Sequence, residues 1–208
     1  MMNDRYEMHE GYLWPKTDVK CREVIFRQTK IIGQVAGLCK QHRSVVQAGG
    51  NVGLWPKVLC GLFERVYTFE PDPENYHCLA ENCYEPNITR YHAALGARGE
   101  APISIRAETP DNCGSCFVAG PGEIPVMAVD DLNLDDLDLI YLDVEGYEGR
   151  VLDGARETIA RCKPVIALEN KGLSERYGLD ALQIEANVQI MGYRVVGKNA
   201  RDSYFVPL

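Results

Sequence analysis

Ser44-Val45-Val46-Gln47-Ala48-Gly49-Gly50-Asn51-Val52-Gly53 is the stretch on which the reading of this chain turns. Its first half is a β-branched run that favours a strand. Its second half stops that strand at three glycines, which admit positive φ and let a ligand come close to the backbone. A helix-like segment, Leu54 to Phe63, follows. Its free N–H groups and the positive end of its dipole would face whatever lies over the turn. Arg65 to Glu70 then reads as the next strand, ending on a carboxylate.

The alternation continues outward from there. Glu74 to Asn82 reads as a helix, Ile88 to Ala93 as a strand, and Ala101 to Arg106 and Pro125 to Val129 as short extended pieces. Asp138 to Asp143 is apolar at nearly every inner position, as expected of a strand covered on both faces. A helix from Glu148 to Arg161, a strand from Pro164 to Glu169, a helix from Leu179 to Met191 and strands at Tyr193 to Val196 and Ser203 to Val206 complete the pattern. Upstream, the segment to about Lys40 reads as an irregular lead-in and then a helix, with Asp18 as N-cap and Ile25, Ile32, Val35 and Leu38 near helical spacing. Repeated β-then-α units predict an α/β fold: a doubly wound, mostly parallel sheet with helices on both faces, here with an N-terminal helical extension. In that layout ligands bind outside the carboxyl ends of the strands. With no internal repeat or low-complexity linker, one domain over 1–208 is expected, its core running from 44 to 208.

Composition narrows the function classes. The chain has 208 residues and a formal net charge of −8, a balance that repels phosphate backbones and anionic lipid and so points away from nucleic acid and membrane as partners. No run approaches the roughly 20 apolar residues of a bilayer span. The N-terminal segment, with Asp4, Glu7, Glu10 and Asp18, lacks the apolar core of a targeting signal. The eight cysteines are scattered rather than arranged as a small secreted framework. Together these predict a cytoplasmic protein.

Glu70 falls about 20 residues past the glycines, where an acidic side chain can accept hydrogen bonds from both ribose hydroxyls. A dinucleotide site would carry G-x-G-x-x-G to make room for a pyrophosphate. Here the spacing is Gly49-Gly50-x-x-Gly53. A nucleoside without a pyrophosphate, S-adenosylmethionine, fits this pattern better.

From Ser44 onward the chain resembles the FkbM-type methyltransferases. Four segments carry the resemblance: Val45 to Gly53, Thr68-Phe69-Glu70-Pro71-Asp72, Ala93-Ala94-Leu95-Gly96, and Val129-Asp130-Asp131-Leu132 followed by Leu142-Asp143-Val144-Glu145-Gly146-Tyr147-Glu148 and Val151-Leu152-x-Gly154-Ala155. The resemblance implies a Rossmann-like fold on a seven-stranded sheet and O-methylation of a small polar molecule, a sugar or natural-product intermediate. It assigns the cofactor to Gln47, Ala48, Gly49, Gly50, Asn51, Gly53, Glu70, Pro71, Asp72, Ala93, Ala94 and Asp143. The chain departs from the family at Gln47, where an acid is usual, and at Tyr141, where a lysine is typical.

The substrate-side carboxylates are expected to be Asp143, Glu145 and Glu148, with Glu169 ending the neighbouring strand. Carboxylates crowded together gain raised pKa values and can act as bases near neutral pH. The same crowd could hold a divalent ion through oxygen ligands, although no metal is predicted. Glu148 also reads simply as an acid in the first turn of a helix. Cys113 and Cys116 have C-x-x-C spacing without a second pair at zinc-like distance, and read as a loop lining the pocket. His92 is a candidate to face the adenine, and Trp14 to fold over the cofactor. Acceptor contacts are expected from residues 1–20, 107–124 and 170–180. Two other readings stay open: a non-catalytic nucleoside-binding module, suggested by Gln47 and Tyr141, and an NAD-dependent oxidoreductase. Oligomeric state is not legible.

Overall fold

In the computed structural model, which describes residues 4–199 and 201–208, the chain opens with a hairpin, β1 (Tyr6–His9) against β2 (Tyr12–Pro15), and two short helices, α1 (Lys20–Gln28) and α2 (Lys30–Ala36). The core follows as β3 (Ser44–Ala48), α3 (Leu54–Leu59), β4 (Arg65–Phe69), α4 (Pro73–Asn82) and β5 (Ile88–Tyr91). Next come four short strands, β6 (Ala94–Leu95), β7 (Ile103–Ala107), β8 (Cys116–Pro121) and β9 (Val126–Met127). The chain ends through β10 (Leu137–Leu142), α5 (Glu148–Asp153), α6 (Arg156–Cys162), β11 (Val165–Glu169), α7 (Ala181–Ile190), β12 (Tyr193–Lys198) and β13 (Asp202–Pro207).

Seven of these strands form the central sheet in the order β12-β13-β11-β10-β3-β4-β5. β3, β4, β5, β10 and β11 pair in parallel, and β13 pairs antiparallel with both β11 and β12. The expected α/β architecture is therefore present. Strand alternation explains the two covered faces. Val46, Ile140 and Phe205 point to one side, onto Val151, Ile159 and Val188 of α5, α6 and α7. Val45, Val66 and Leu139 point to the other, onto Ile32, Trp55 and Leu59 of α2 and α3. β10, covered on both faces, is apolar apart from Asp138 near its start and has no exposed position.

The order of strands reverses at β3: the chain winds through β4 and β5 on one side and returns to β10 and β11 on the other. The crevice outside the carboxyl ends of β3 and β10 is the switch point at which such sheets take ligands.

The lead-in differs from the expectation. It is a β-hairpin, turning on Glu10 (φ 50°) and Gly11 (φ 83°), and its fully buried Trp14 packs with Tyr6, Cys21, Ile25 and Val52. Trp14 is therefore core, bonded through Nε1 to Asp18 (2.7 Å), and does not line the ligand cleft. The helix expected over 148–161 breaks in two at Gly154, where any Cβ would lie 2.0 Å from the Gly96 carbonyl oxygen. Asp130, in a short 3-10 turn, accepts from the N–H groups of Glu157 and Thr158 and so caps α6. Among the described residues no helix is long and apolar enough to cross a membrane.

Candidate functional site

The site begins where β3 ends. Gly49 has φ 85°, and a Cβ there would sit 1.9 Å from the main-chain oxygen of Asp143. The two strand ends touch backbone to backbone, and only glycine permits it. The N–H groups of Gly49 and Gly50 both donate to the Phe69 carbonyl (3.1 and 2.9 Å), which ties the turn to β4. Above it lies a cleft of about 1100 Å³, counting the part continuous with solvent. Gly49, Asn51 and Glu70 form its floor and Ala93, Ala94 and Leu95 an apolar wall. Cys21 and Ile25 of α1 and the loop at Cys113–Cys116 cover it.

Glu70 sits at the bottom, 4% exposed. Its Oε2 accepts from the Asn51 N–H (2.7 Å) and its Oε1 from the Asp72 N–H (2.8 Å). Burial pushes its carboxyl up to about 8, against the pull of those two amides. Each oxygen keeps a lone pair for a further donor. A buried carboxyl with spare acceptor capacity, beside an apolar wall and a turn cleared of side chains, fits an adenosine with its ribose on Glu70 and its base against Ala93 to Leu95.

At the other end of the cleft three carboxylates converge. Oxygens of Asp143, Glu145 and Glu169 lie within 4.8 Å of one another. Asp143 follows β10, Glu169 ends β11, and Glu145 is held in a left-handed turn (φ 52°). That backbone region is strained for a residue with a Cβ, and such strain gathers at functional sites. Lys171 bridges the group, paired with Glu169 and 3.7 Å from Glu145, while Arg201 donates to Glu169 Oε1 (2.9 Å). Burial, with the Glu169 charge behind it, raises Glu145 to about 7 and holds Asp143 well above its usual value. Burial opposes the Lys171 ammonium, yet the surrounding carboxylates keep its pKa above the ordinary lysine value. Three buried acids share two cations, and raised carboxyls in such a group can take up a proton.

Of the sequence-predicted cofactor residues, Ala48, Gly49, Asn51, Glu70, Pro71, Ala93, Ala94 and Asp143 line the cleft. Gln47, Gly50, Gly53 and Asp72 do not line it. Gln47 is fully buried and spends its amide inward, donating to the Gly49 carbonyl (2.9 Å) and accepting from Thr68 (2.6 Å). Gly50 gives clearance to Leu79, and Gly53 opens α3 in a left-handed turn. Asp72 caps α4 through the N–H groups of Glu74 and Asn75.

Among the expected catalytic acids, Asp143 and Glu145 reach the cleft and Glu169 stands behind them. Glu148 does not reach it. Only 2% exposed, it accepts from the N–H groups of Val144 and Gly146 and clasps the turn that carries Glu145. His92 is exposed and stacks on Tyr76 at 4.6 Å, away from the cleft.

Several residues were not legible from sequence. Lys171 and Arg201 come from separate loops, and the signal for them was only that buried acids require cations. Asp18 is a knot rather than a simple cap. It accepts from Trp14 Nε1 and from the main-chain N–H groups of Cys21, Arg22 and Cys113, joining the hairpin, α1 and the cleft roof. Cys113 does line the pocket, its carbonyl accepting from the side chains of Asn51 (3.1 Å) and Asn75 (2.8 Å).

No curated protein matches the chain. Among solved structures, methyltransferase FkbM from Methylobacillus flagellatus KT is similar at 21% identity and a TM-score of 0.54, over 81% of this chain and 45% of that one. This chain thus spans about half the length of that relative. Magnesium protoporphyrin IX methyltransferase from Synechocystis PCC 6803, solved with bound S-adenosylmethionine, shares the fold at 11% identity and a TM-score of 0.52, over 90% of this chain and 83% of its own. Precorrin 8w decarboxylase from Methanobacterium thermoautotrophicum does so at 15% identity and a TM-score of 0.53, over 92% and 97%. The model of the methyltransferase FkbM domain matches residues 47–195, well over half of the sequence, and the chain belongs to that family.

Proposed function

We propose that this chain binds S-adenosylmethionine in the cleft over Gly49 and moves its methyl group to a hydroxyl of a small polar acceptor. One observation carries the reading: a single cleft holds a buried carboxyl suited to a ribose, Glu70, and at its far end a carboxyl near neutrality, Glu145. The cofactor supplies a methyl already activated on a sulfonium, so the protein has to bind, align and remove a proton. Glu70 holds the ribose, the Ala93–Leu95 wall takes the base, and Asn51 keeps the turn in place. Glu145 takes the acceptor's proton, which general-base catalysis asks of a group titrating near the working pH. Asp143, whose pKa burial and the Glu169 charge raise, stands beside Glu145 to orient the acceptor, and Lys171 limits the repulsion that works against an ionised Glu145.

The net charge of −8 favours a small acceptor over nucleic acid. The three-carboxylate group is already compensated by Lys171 and Arg201, which favours chemistry without a metal there. The test is isothermal titration with S-adenosylmethionine and, separately, NAD, followed by transfer of labelled methyl to a panel of hydroxyl compounds. Micromolar binding of the first alone, with turnover, supports the proposal. Binding of NAD instead would replace it with the oxidoreductase reading, and binding without turnover on any acceptor would favour the non-catalytic module.

A further inference from the structure

A second cavity adjoins the cleft, and Gln28, Trp55, Asp143 and Arg201 line both. One of its walls is a single helical face. α1 passes into α2 through Thr29, itself in the helical region (φ −57°, ψ −24°), so Arg27, Lys30, Ile31 and Gln34 fall at the i, i+3, i+4, i+7 spacing of one stripe. All four line the cavity. Opposite them stands Glu169, only 4% exposed. Its Oε1 accepts from Arg201, whereas its Oε2 is buried without a hydrogen-bond partner among the described residues. A buried carboxylate oxygen left unpaired is costly, and Glu169 is among the residues that line this cavity.

The cations on the helical wall are equally unprovided for. Arg27 and Lys30 are exposed, and among the described residues neither pairs with a carboxylate, whereas Lys20, Arg22 and Arg43 on either side of them do. Like charges one helical turn apart repel. Asp143, Glu169 and Asp202 also line the cavity, yet in a chain with eight more acids than bases the two bases one helical turn apart on its helical wall, with no carboxylate partner among the described residues, mark a place for an external anion.

We propose that this second cavity receives the acceptor, and that the acceptor is a polyhydroxy compound bearing an anionic group, a carboxylate or phosphate. The anion sits on Arg27 and Lys30, a hydroxyl donates to Glu169 Oε2, and the reacting hydroxyl passes between Trp55 and Arg201 to Asp143 and Glu145. This rests on the methyltransferase reading, which it deepens by naming the charge of the acceptor. A cationic acceptor would be repelled at the mouth, and a neutral one would leave both bases unpaired.

The experiment uses the full chain saturated with S-adenosylhomocysteine, whose own binding checks the cofactor reading independently. Inorganic phosphate is then titrated and followed by amide chemical shifts. The expected result is saturable binding that moves the resonances of residues 27–34, weakened about tenfold or more in the double variant Arg27→Ala, Lys30→Ala, with homocysteine-analogue affinity unchanged. Shifts confined to other surfaces, or binding indifferent to the double variant, would overturn the proposal. In labelled-methyl transfer, sugar acids and sugar phosphates should outcompete their neutral parents, and the double variant should raise their KM about tenfold. Preference for the neutral parents would also overturn it. Failure of S-adenosylhomocysteine to bind would strike the methyltransferase reading beneath.

Discussion

The Asn51 main-chain N–H donates to Oε2 of Glu70 across 2.7 Å, so the turn that ends β3 is fastened to the carboxyl that ends β4. The same carboxyl is asked to hold a ribose, and its structural and binding duties are therefore inseparable. Glu70→Ala should weaken S-adenosylmethionine binding by about several-fold to a hundredfold, the equivalent of roughly 1.5–3 kcal/mol of charge-assisted hydrogen bonding. Titration calorimetry measures it, and unchanged affinity would remove Glu70 from the site.

A proton should leave when the cofactor binds. Burial holds the Glu70 carboxyl at about 8, and ribose hydroxyls donating to it stabilise the ionised form. Affinity should thus rise from pH 7 to pH 9. Calorimetry in buffers of different ionisation heat should show proton release near pH 7, and the release should vanish in Glu70→Gln. Proton uptake would contradict the assignment.

The rate of transfer should also rise with pH. A base must be ionised to act, and Glu145 titrates at about 7, so the activity limb should have its midpoint there. Glu145→Gln should lower kcat by about 10²–10⁴-fold and abolish that limb, with cofactor affinity retained. A pH profile unaltered by the substitution would move the base elsewhere.

Fold stability should respond to pH through the same buried acids. Glu70, Glu145 and Glu148 all have folded-state values above the ordinary 4.5, at about 8, 7 and 7. A carboxyl raised on folding holds its proton more tightly in the native state. Its contribution is complete below the unfolded value and is lost as pH rises through the folded one. Urea midpoints should therefore fall between pH 5 and pH 8, and Glu148→Gln should flatten that slope. An equal slope in the variant would show that Glu148 is ionised throughout.

Asp18→Ala removes the acceptor of Trp14 Nε1 and of three main-chain N–H groups. The expected cost is about 2–4 kcal/mol, read from denaturant unfolding. Amide exchange should quicken in the hairpin, in α1 and around Cys113 together. Quickening confined to α1 would mean that Asp18 is only a helix cap.

How much of this was legible in the sequence follows from the range of the forces. The glycines and β-branched run at 44–53 declare a strand and a turn locally, and β10 declares its two covered faces by the unbroken run Leu139-Ile140-Tyr141-Leu142. The hairpin at 6–15 was missed although its signal is present: Glu10-Gly11, both at positive φ, is a two-residue turn between short alternating runs. The break at Gly154 depends on the approach of Gly96, far away in the chain, and no local pattern carries it. For the site, strand ends predicted Glu70, Asp143, Glu145 and Glu169 because topology places them. Gln47 and Glu148 can each serve either a ligand or the turn beside them, and packing turns both side chains to the turn. Lys171 and Arg201 reach the acids from loops whose course is set by tertiary contacts.

Asn51 and Asn75 both grip the Cys113 carbonyl, so the roof of the cleft is moored to its floor by two amide side chains. On the proposed reading a nucleoside would lie beneath that mooring, and substitutions at Asn51 or Asn75 would change how readily it comes and goes without altering a reacting atom.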